Sequence, residues 1–280
     1  MVKSLELEHT TVMNLDKPKA LNSQDSINWV ACHTLFRKEV TRFVKVWLQT
    51  ILAPVVTSLL YLLVFGHVLE GRIEVFPGVS YVEFLIPGLL MMSVIQNAFA
   101  NTSSSMIQSK VMGNIVFILL PPFSALEMFL AYIAAAVVRG LAVGVGVFLL
   151  AFFYVQVPIE NIFVVLIFAI LGSYTMGALG LIAGMWAEKF DQIAAFQSFL
   201  IVPLTFLSGV FYSIKSLPPF WAELSKYNPF LYMIDGFRYG FFGQSDQPVL
   251  MSLLIMLIAT LILTIICVAI LRSGYKLRDG

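Results

Sequence analysis

Charged residues are scarce in this sequence. Only 12% of the 280 residues are Asp, Glu, Lys or Arg, whereas 59% are hydrophobic and the mean hydropathy is +0.90. Soluble domains carry about 25% charged residues, so this chain lacks the charge to cover a globule in water, and lipid must contact much of its surface. The formal net charge of +1 also argues against nucleic acid as a partner, because phosphate binding needs a basic face.

Residues for catalysis and metal binding are equally scarce. There are two cysteines, Cys32 and Cys267, and three histidines, and their spacing favours neither a disulfide nor a metal site. The sequence contains no glycine-rich phosphate loop and no His-Glu-x-x-His motif. We therefore predict no catalytic residue, no metal and no cofactor in this chain, so an ATP-driven role would need ATP and Mg bound by a second subunit.

Long apolar stretches are what the sequence has instead. A helix needs about 20 apolar residues to cross a bilayer, and six stretches qualify, at 46–69, 82–100, 125–154, 162–185, 193–211 and 249–271. The first 25 residues contain no apolar run, which argues against a cleaved signal peptide and favours a disordered cytoplasmic tail at 1–25. The sequence thus predicts an all-α polytopic membrane protein with six transmembrane helices in residues 26–275 and a short C-terminus at 276–280.

Basic residues are distributed unevenly about these spans. Seven of the 17 Lys and Arg residues precede the first span. Lys110 and Lys189 lie in the second and fourth connections, and three more basic residues follow the last span. Lys and Arg favour the cytoplasmic side of a membrane, so we expect both termini in the cytoplasm.

Two segments on the cytoplasmic side carry helical patterns. Residues 28–46 are amphipathic and predict a helix in the headgroup layer, with its basic residues, Arg42 among them, toward anionic lipid. This helix is either a topology anchor only or an elbow that also contacts a cytoplasmic partner. Residues 106–120, stopped by Pro121-Pro122, predict a short helix that is either a plain connector or the place where a soluble motor applies force.

The outer segment 212–248 is neither a span nor an ordinary loop. Its prolines predict two short helices, and its many aromatic residues predict a belt at headgroup depth. Asp235 and Arg238 are three residues apart, so they are predicted to pair along one helix face, an arrangement that contributes little to stability if it is exposed.

Local signals predict how some of the spans begin and pack. Ser80 with Glu83, and Ser124 with Glu127, have the spacing of capping boxes that open the second and third spans. Pairs of small residues four apart in the third and fourth spans predict close helix packing. These pairs are Gly140/Gly144, Ser173/Gly177 and Gly180/Gly184.

Polar side chains inside the spans are the candidate functional residues. Ser93, Asn97, Asn101, Ser104 and Gln108 share one face of the second span, and such groups need partners or water in hydrocarbon. The stripe therefore faces either another helix or an aqueous path. Arg139 lies near the middle of the third span without an acid placed to pair with it in that helix. It is either a structural residue or the counter-ion of a substrate phosphate.

Several motifs together resemble a known family. The segments Leu-Pro-Pro-Phe-Trp, Tyr-Asn-Pro-Phe and Asp-Gly-Phe-Arg in the outer region resemble those of ABC-2 type transporter permeases, most nearly bacterial export permeases. The same holds for the opening of the second span, the Leu-Leu-Pro-Pro-Phe-Ser segment and part of the fifth span. These motifs lie at 217–221, 227–230, 235–238, 84–88, 119–124 and 207–212.

The resemblance implies an architecture and a set of roles. It implies a homodimer in the bacterial inner membrane, above two ATPase subunits, that exports an amphipathic, lipid-like, glycan-like or drug-like substrate. The alternatives are a secondary transporter driven by an ion gradient and a non-catalytic membrane scaffold. The path would run at the dimer interface between the second and fifth spans, closed on the outside near 206–211. Its predicted lining is Ser93, Asn97, Asn101, Ser104, Phe196, Phe199, Thr205 and Leu207, and the predicted ATPase-coupling residues are Lys110, Gly113, Asn114, Leu119, Leu120 and Pro121.

Overall fold

The computed structural model describes residues 28–69, 75–119 and 124–276. The predicted tail at 1–25, the predicted coupling residues Leu120 and Pro121, and nearly all of the C-terminus at 276–280 lie outside the described residues. Within the described ranges the structure is helical, and the only other regular feature there is an isolated bridge between Phe76 and Val79.

The helices follow one another along the chain with short connections. They are α1 (Trp29–Val44), α2 (Ala53–Leu69), α3 (Tyr81–Val111), α4 (Ile115–Leu119), α5 (Ala125–Tyr154), α6 (Ile162–Trp186), α7 (Phe190–Phe196), α8 (Val202–Phe206), α9 (Pro219–Lys226), α10 (Pro229–Phe242) and α11 (Val249–Ser273). A π-helical turn, Leu48–Leu52, leads into α2, and a second one, Gln197–Ile201, joins α7 to α8.

Among the described residues five helices are long and apolar enough to cross a membrane, which confirms the prediction of a polytopic all-α membrane protein. They are Leu48–Val68, Tyr81–Val111, Ala125–Tyr154, Ile162–Trp186 and Val249–Ser273. The predicted fifth span, 193–211, corresponds to a shorter apolar helix, Phe190–Phe206. It ends before residue 211 because the chain turns at Leu207–Gly209, where Gly209 has a φ of +78° that a side chain would disfavour.

Both π-helical turns lie close before a proline. Pro54 follows the turn Leu48–Leu52, and Pro203 follows the turn Gln197–Ile201. Proline has no N–H to donate to the preceding turn of a helix, so the backbone widens there instead of continuing its regular ladder. Each of these two spans therefore has a local irregularity built into its sequence.

The predicted capping boxes are confirmed. The Ser80 hydroxyl accepts from the backbone N–H of Glu83 at 3.3 Å, and the Ser80 N–H donates to the Glu83 carboxylate at 2.7 Å. Ser124 and Glu127 form the same reciprocal pair at the start of α5. These caps satisfy N–H groups that a helix start leaves without partners.

Helix α3 forms the centre of the bundle, and most of its residues are buried. Helix α6 approaches it through glycines, as predicted from the small-residue pairs. A Cβ on Gly180 would lie 2.4 Å from the carbonyl oxygen of Phe99, and one on Gly184 would lie 2.7 Å from the Met106 Cβ. Gly140 allows α5 to approach in the same way, since its Cβ would lie 2.7 Å from the Ser173 hydroxyl of α6. Helix α11 has few buried residues and presents apolar side chains to lipid or a partner.

The predicted helix over 106–120 is divided in the structure. Met106 and Ile107 belong to the buried end of α3, and α4 is a separate helix of five residues. The break falls at Gly113, which has a φ of +70°. The apolar pattern of α3 continues to its C-terminal end because α6 covers the helix there. The helix then ends because Gly113 adopts a left-handed conformation.

The outer segment is more deeply buried than a belt at the headgroups. Phe230, Phe237 and Phe241 of α10 are buried, and exposed aromatic rings are found on α9, such as Phe220. The reason is that α10 packs on α6 through Gly236, whose Cβ would overlap the ring of Phe168. The prediction of a belt therefore describes α9 and is wrong for α10.

Candidate functional site

One narrow face of α3 is left uncovered in a helix that is otherwise buried. Four residues of this face are half-buried, and the residues on either side of each of them in the sequence are buried. The four are Gln96, Ala100, Ser104 and Gln108. Their spacing of four places them along one ridge of the helix. Gln96 is about 22 Å from the N-terminal start of α3 by helical rise, so this ridge occupies the C-terminal half of the helix. We call these four residues the α3 ridge.

The predicted polar stripe lies beside this ridge and is turned into the chain. Ser93, Asn97 and Asn101 are buried, whereas Ser104 and Gln108 belong to both the stripe and the ridge. The Ser93 hydroxyl lies 3.1 Å from that of Ser58 on α2, and the Asn97 side chain donates to the Ser93 carbonyl at 3.1 Å. The stripe was predicted to face either another helix or an aqueous path. In the single chain these three residues contact other helices.

Arg139 reaches α3 from α5 at the level of the stripe. Its Nη2 donates to Asn97 Oδ1 at 3.1 Å. In the described part of the chain no carboxylate forms an ion pair with it. Its Nε is buried without a hydrogen-bond partner there, so the guanidinium is only partly satisfied.

A second guanidinium, that of Arg42, reaches α3 from α1 one turn closer to the C-terminal end of α3. Its Nη2 donates to the carbonyl oxygen of Asn101 at 2.7 Å and to Asn101 Oδ1 at 3.1 Å, and its Nη1 donates to the Ser104 hydroxyl at 3.2 Å. The expectation that Arg42 faces lipid headgroups is therefore wrong. The reason is the acid one turn earlier on α1, Glu39, which is fully buried and needs a counter-ion.

Glu39 ties α1 to α3 and was missed from the sequence. Its carboxylate pairs with Arg42 at 3.1 Å and with Lys38 at 3.2 Å, and it accepts a hydrogen bond from the Ser105 hydroxyl of α3 at 2.8 Å. A signal was present, because Leu35, Glu39 and Phe43 are spaced by four, and all three are buried. An acid in the middle of the apolar side of an amphipathic helix indicates a buried partner.

The fifth span contributes two aromatic rings, one just before its π-helical turn and one within that turn. The Phe196 ring stacks on that of Phe99 with centroids 5.7 Å apart and planes at 6°, whereas Phe199 is 83% exposed. Thr205 is buried and donates to the Ile201 carbonyl at 2.7 Å, and Leu207 lies half-buried in the turn that follows α8. Of the four residues in this span that were predicted to line the path, Phe199 is therefore the most exposed.

Aromatic rings also close the outer end of the same region. Phe211 contacts Phe65 at 5.0 Å, Phe206 at 5.3 Å and Tyr61 at 5.5 Å between ring centroids. We call these four residues the outer aromatic cluster. Outside it lies an open cavity of about 780 Å³ whose lining includes Tyr212 as well as Phe211.

The loop that follows α8 and carries Phe211 is held in place by buried charged side chains of the outer segment. Arg238 donates to the carbonyl oxygens of Gly209 at 2.8 Å and Val210 at 3.4 Å, and its guanidinium lies 3.8 Å from the centroid of Phe84 on α3. Asp235 accepts two backbone N–H bonds, from Asp246 and from the residue after it, each at 2.8 Å. The predicted ion pair between Asp235 and Arg238 does not form among the described residues, because both side chains are buried and bind main-chain groups instead.

The predicted coupling residues are divided between the bundle and its cytoplasmic surface. Lys110 Nζ donates to the carbonyl oxygens of Met185 at 2.7 Å and Ala187 at 2.5 Å, so it covers the C-terminal end of α6. Gly113 and Asn114 lie exposed in the turn after α3, and Leu119 ends α4.

A surface ion pair lies near the C-terminal end of α6. Lys276 Nζ is 2.7 Å from a carboxylate oxygen of Glu188. The hydrogen bond and the charge of Lys276 hold the pKa of Glu188 below its usual value. This pair fastens the end of α11 to the connection that follows α6.

Comparison with known proteins gives one consistent result. The sequence model of the family described as "ABC-2 type transporter" matches residues 30–242. The chain is 39% identical over 251 residues to "Inner membrane transport permease YadH" of Escherichia coli (strain K12), covering 90% of this chain and 98% of that protein. It is 23% identical over 252 residues to "Nodulation protein J" of Rhizobium leguminosarum bv. viciae, covering 88% and 94% of the two chains. Since the match spans most of the helices described above, this chain belongs to the ABC-2 type transporter family and is a membrane transport permease.

Proposed function

We propose that this chain is the permease subunit of an ATP-driven exporter and acts as a pair of copies. A separate ATPase subunit, which holds ATP and Mg, supplies the energy, and both termini of the permease lie in the cytoplasm of a bacterial inner membrane. Support comes from the family and from the relative that is named an inner membrane transport permease.

The α3 ridge is the observation that carries the proposal. Three of its four residues are polar, and they stay half-buried in the inner half of an otherwise buried helix. In a twofold pair each ridge faces its symmetry mate, so two ridges and two exposed Phe199 rings enclose a space open to the cytoplasm. Amides and hydroxyls orient a solute in such a space, while aromatic rings supply contact area.

The outer aromatic cluster acts as the gate of this path. It lies between the ridge and the outer cavity of about 780 Å³, and its four rings come from α2 and from the end of the fifth span. A substrate that leaves the inner space passes this cluster and enters the outer cavity. Separation of α2 from the Phe206–Phe211 turn opens it.

The ATPase contacts the turn and short helix after α3. Met112 and Phe117 are 60% and 71% exposed, and they flank the predicted coupling residues Gly113 and Asn114. Exposed apolar groups next to a membrane surface are typical of a protein interface. Force applied there acts directly on the end of α3.

Two measurements test the proposal, the first on the path. A cysteine in place of Ala100 is expected to form a disulfide between two copies in membranes, whereas one in place of Val145, exposed on α5, is not. Disulfide formation at Val145 and none at Ala100 would place the pair interface elsewhere and refute the path.

The second measurement tests the coupling, with the permease and its ATPase subunit purified together. Phe117→Asp is expected to lose substrate-stimulated ATP hydrolysis at least tenfold, because a carboxylate would be buried in the proposed interface. Phe220→Asp is the matched control, since Phe220 is equally exposed, at 70%, on the outer segment. Equal ATP hydrolysis by both variants, or transport driven by an ion gradient without the ATPase, would contradict an ATP-driven exporter.

A further inference from the structure

The charges around the inner half of α3 do not balance. Glu39 is the single carboxylate that pairs there, and it is shared between Lys38 at 3.2 Å and Arg42 at 3.1 Å. Arg139 has no carboxylate partner within the described ranges, and the like charge of Arg42 acts on it. The three cations Lys38, Arg42 and Arg139 therefore outnumber the carboxylate of Glu39.

This positive charge lies inside the membrane. Arg139 is bound to Asn97, which lies one residue past the middle of the 31-residue helix α3. Asn101, the partner of Arg42, is one turn further, about 6 Å along the helix axis. A cation at that depth is costly unless it is paired or reaches water, so the folded chain retains it against its own stability.

The unsatisfied groups at this place are hydrogen-bond donors. Asn101 is fully buried, and its Nδ2 lacks an acceptor in the part of the chain that the structure describes. The same is true of Arg139 Nε. Buried donors are normally satisfied, so an acceptor is missing from this cluster. We call Arg42, Asn97, Asn101 and Arg139 the donor cluster.

The α3 ridge gives access to the donor cluster. Ser104 belongs to the ridge and accepts a hydrogen bond from Arg42 at 3.2 Å, and Arg42 and Arg139 are both incompletely buried. The guanidinium of arginine presents a planar fork of donors that matches the oxygens of a phosphate or carboxylate. A group that moves along the ridge therefore meets positive charge and free donors together.

We propose that the donor cluster binds the anionic group, a phosphate or carboxylate, of an amphipathic molecule whose apolar part lies along the ridge and Phe199. This rests on the proposed function for the position of the path and names the class of substrate. The same chemistry is offered by the headgroup of an anionic lipid, and the experiment separates the two sources.

The test measures binding to the purified permease in an uncharged detergent, without ATPase and without ATP. The probes are decyl phosphate, short-chain phosphatidylglycerol, inorganic phosphate and, as the uncharged reference, decanol. Arg139→Gln is expected to weaken binding of the amphipathic phosphates about tenfold to hundredfold, as for loss of a hydrogen bond between charged groups. Arg272→Gln, the same change at an exposed position in the last turn of α11, is expected to leave it unchanged.

A second variant keeps the shape of the side chain and replaces a hydrogen-bond donor by a negatively charged acceptor. Asn101→Asp is isosteric and retains the oxygen that accepts from Arg42, but it replaces the free donor by an acceptor and supplies a negative charge. It is expected to lose anion binding as Arg139→Gln does, without a fall in the melting temperature of the ligand-free protein. This keeps the proposal testable if Arg139→Gln does not fold.

Each outcome decides the proposal. Binding of decyl phosphate that depends on Arg139 or Asn101 supports a substrate site, and such binding of phosphatidylglycerol alone supports a lipid site with the same chemistry. Binding that is equal in the two variants and in wild type, or equal for decanol, overturns it and leaves the free donors to water. Because ATP hydrolysis is not measured, failure here is distinct from failure of the proposed exporter function.

Discussion

Removal of the Arg42 guanidinium tests whether α1 is fastened to α3 by buried charge. The substitution Arg42→Met keeps an apolar stem of similar length and deletes the four donor contacts to Glu39, Asn101 and Ser104. Glu39 is fully buried, so the substitution leaves a carboxylate with one remaining cation, Lys38, which is itself 48% exposed.

The expected magnitude follows from this geometry. Removing one partner of a buried ion pair costs about 3–5 kcal/mol, and the remaining Lys38 keeps the effect near the lower end, at about 3 kcal/mol. The double variant Glu39→Gln with Arg42→Met removes the buried charge as well. It is expected to cost less than Arg42→Met alone, about 1–2 kcal/mol, because hydrogen bonds between neutral groups contribute about 1 kcal/mol each.

The measurement is the free energy of unfolding from detergent titration in mixed micelles. Arg37→Met is the matched control, since Arg37 is exposed on the same helix and surface substitutions change stability by about 0.5 kcal/mol or less. The reasoning is refuted if Arg42→Met and Arg37→Met are equally stable. It is also refuted if the double variant loses as much as the sum of its two single variants, because residues in one network should be coupled.

Two further predictions concern helix packing and the gate. Gly180→Ala should lower the free energy of unfolding by about 1–3 kcal/mol, because the added Cβ would lie 2.4 Å from the Phe99 carbonyl oxygen; an unchanged transition in the same titration would contradict the close packing of α6 on α3. Phe211→Ala should raise ATP hydrolysis without substrate severalfold in the complex with the ATPase, because it removes the ring common to three contacts of the outer aromatic cluster. The exposed Phe153→Ala serves as its control, and equal basal hydrolysis in both variants would exclude Phe211 from the gate.

The features that sequence predicted well are those with local causes. A capping box depends on two residues three positions apart, so the starts of α3 at Ser80 and of α5 at Ser124 could be predicted from spacing alone. Hydrophobic length likewise identified the spans, and small residues four apart identified faces that lie close to another helix. Each of these signals is contained within one or two turns of helix.

The features that sequence did not predict depend on which elements meet. Arg42 has the pattern of a basic residue on an interfacial helix, and its inward direction is set by the docking of α1 on α3. Arg238 lies in a segment whose aromatic composition is equally typical of an exposed belt and of a helix buried against the bundle. The structure decides between the two at Gly236, where the absence of a Cβ allows contact with the ring of Phe168 on α6.

The candidate site shows the same division. The periodicity of α3 placed Asn97 and Asn101 on one face, and that face is real. Whether it meets a partner helix or an open path is decided by α1 and α5, which cover it, so the open ridge is displaced to Gln96 and Ala100. Gln96 is a polar residue within a span and could have been found by the same criterion as Asn97, whereas an alanine such as Ala100 has no chemical signal in the sequence.

In the exporter proposed above, α3 is the element through which a force at the cytoplasmic surface reaches the outer gate. With 31 residues it is about 46 Å long, which exceeds the hydrocarbon thickness of about 30 Å, so its inner end reaches the exposed turn at Gly113. Arginines from three other helices bind it or the loop packed against it at successive depths: Arg42 from α1, Arg139 from α5 and, through the Phe84 ring and the Gly209–Val210 carbonyls, Arg238 from α10. A displacement of the turn therefore moves the ridge, loads or relaxes the donor cluster, and changes the support of the loop that carries Phe211. If α3 moves as one rod, a disulfide that fastens its inner end to α6 should lock the outer aromatic cluster as well, and accessibility of a cysteine at Tyr212 during ATP turnover would measure that coupling directly.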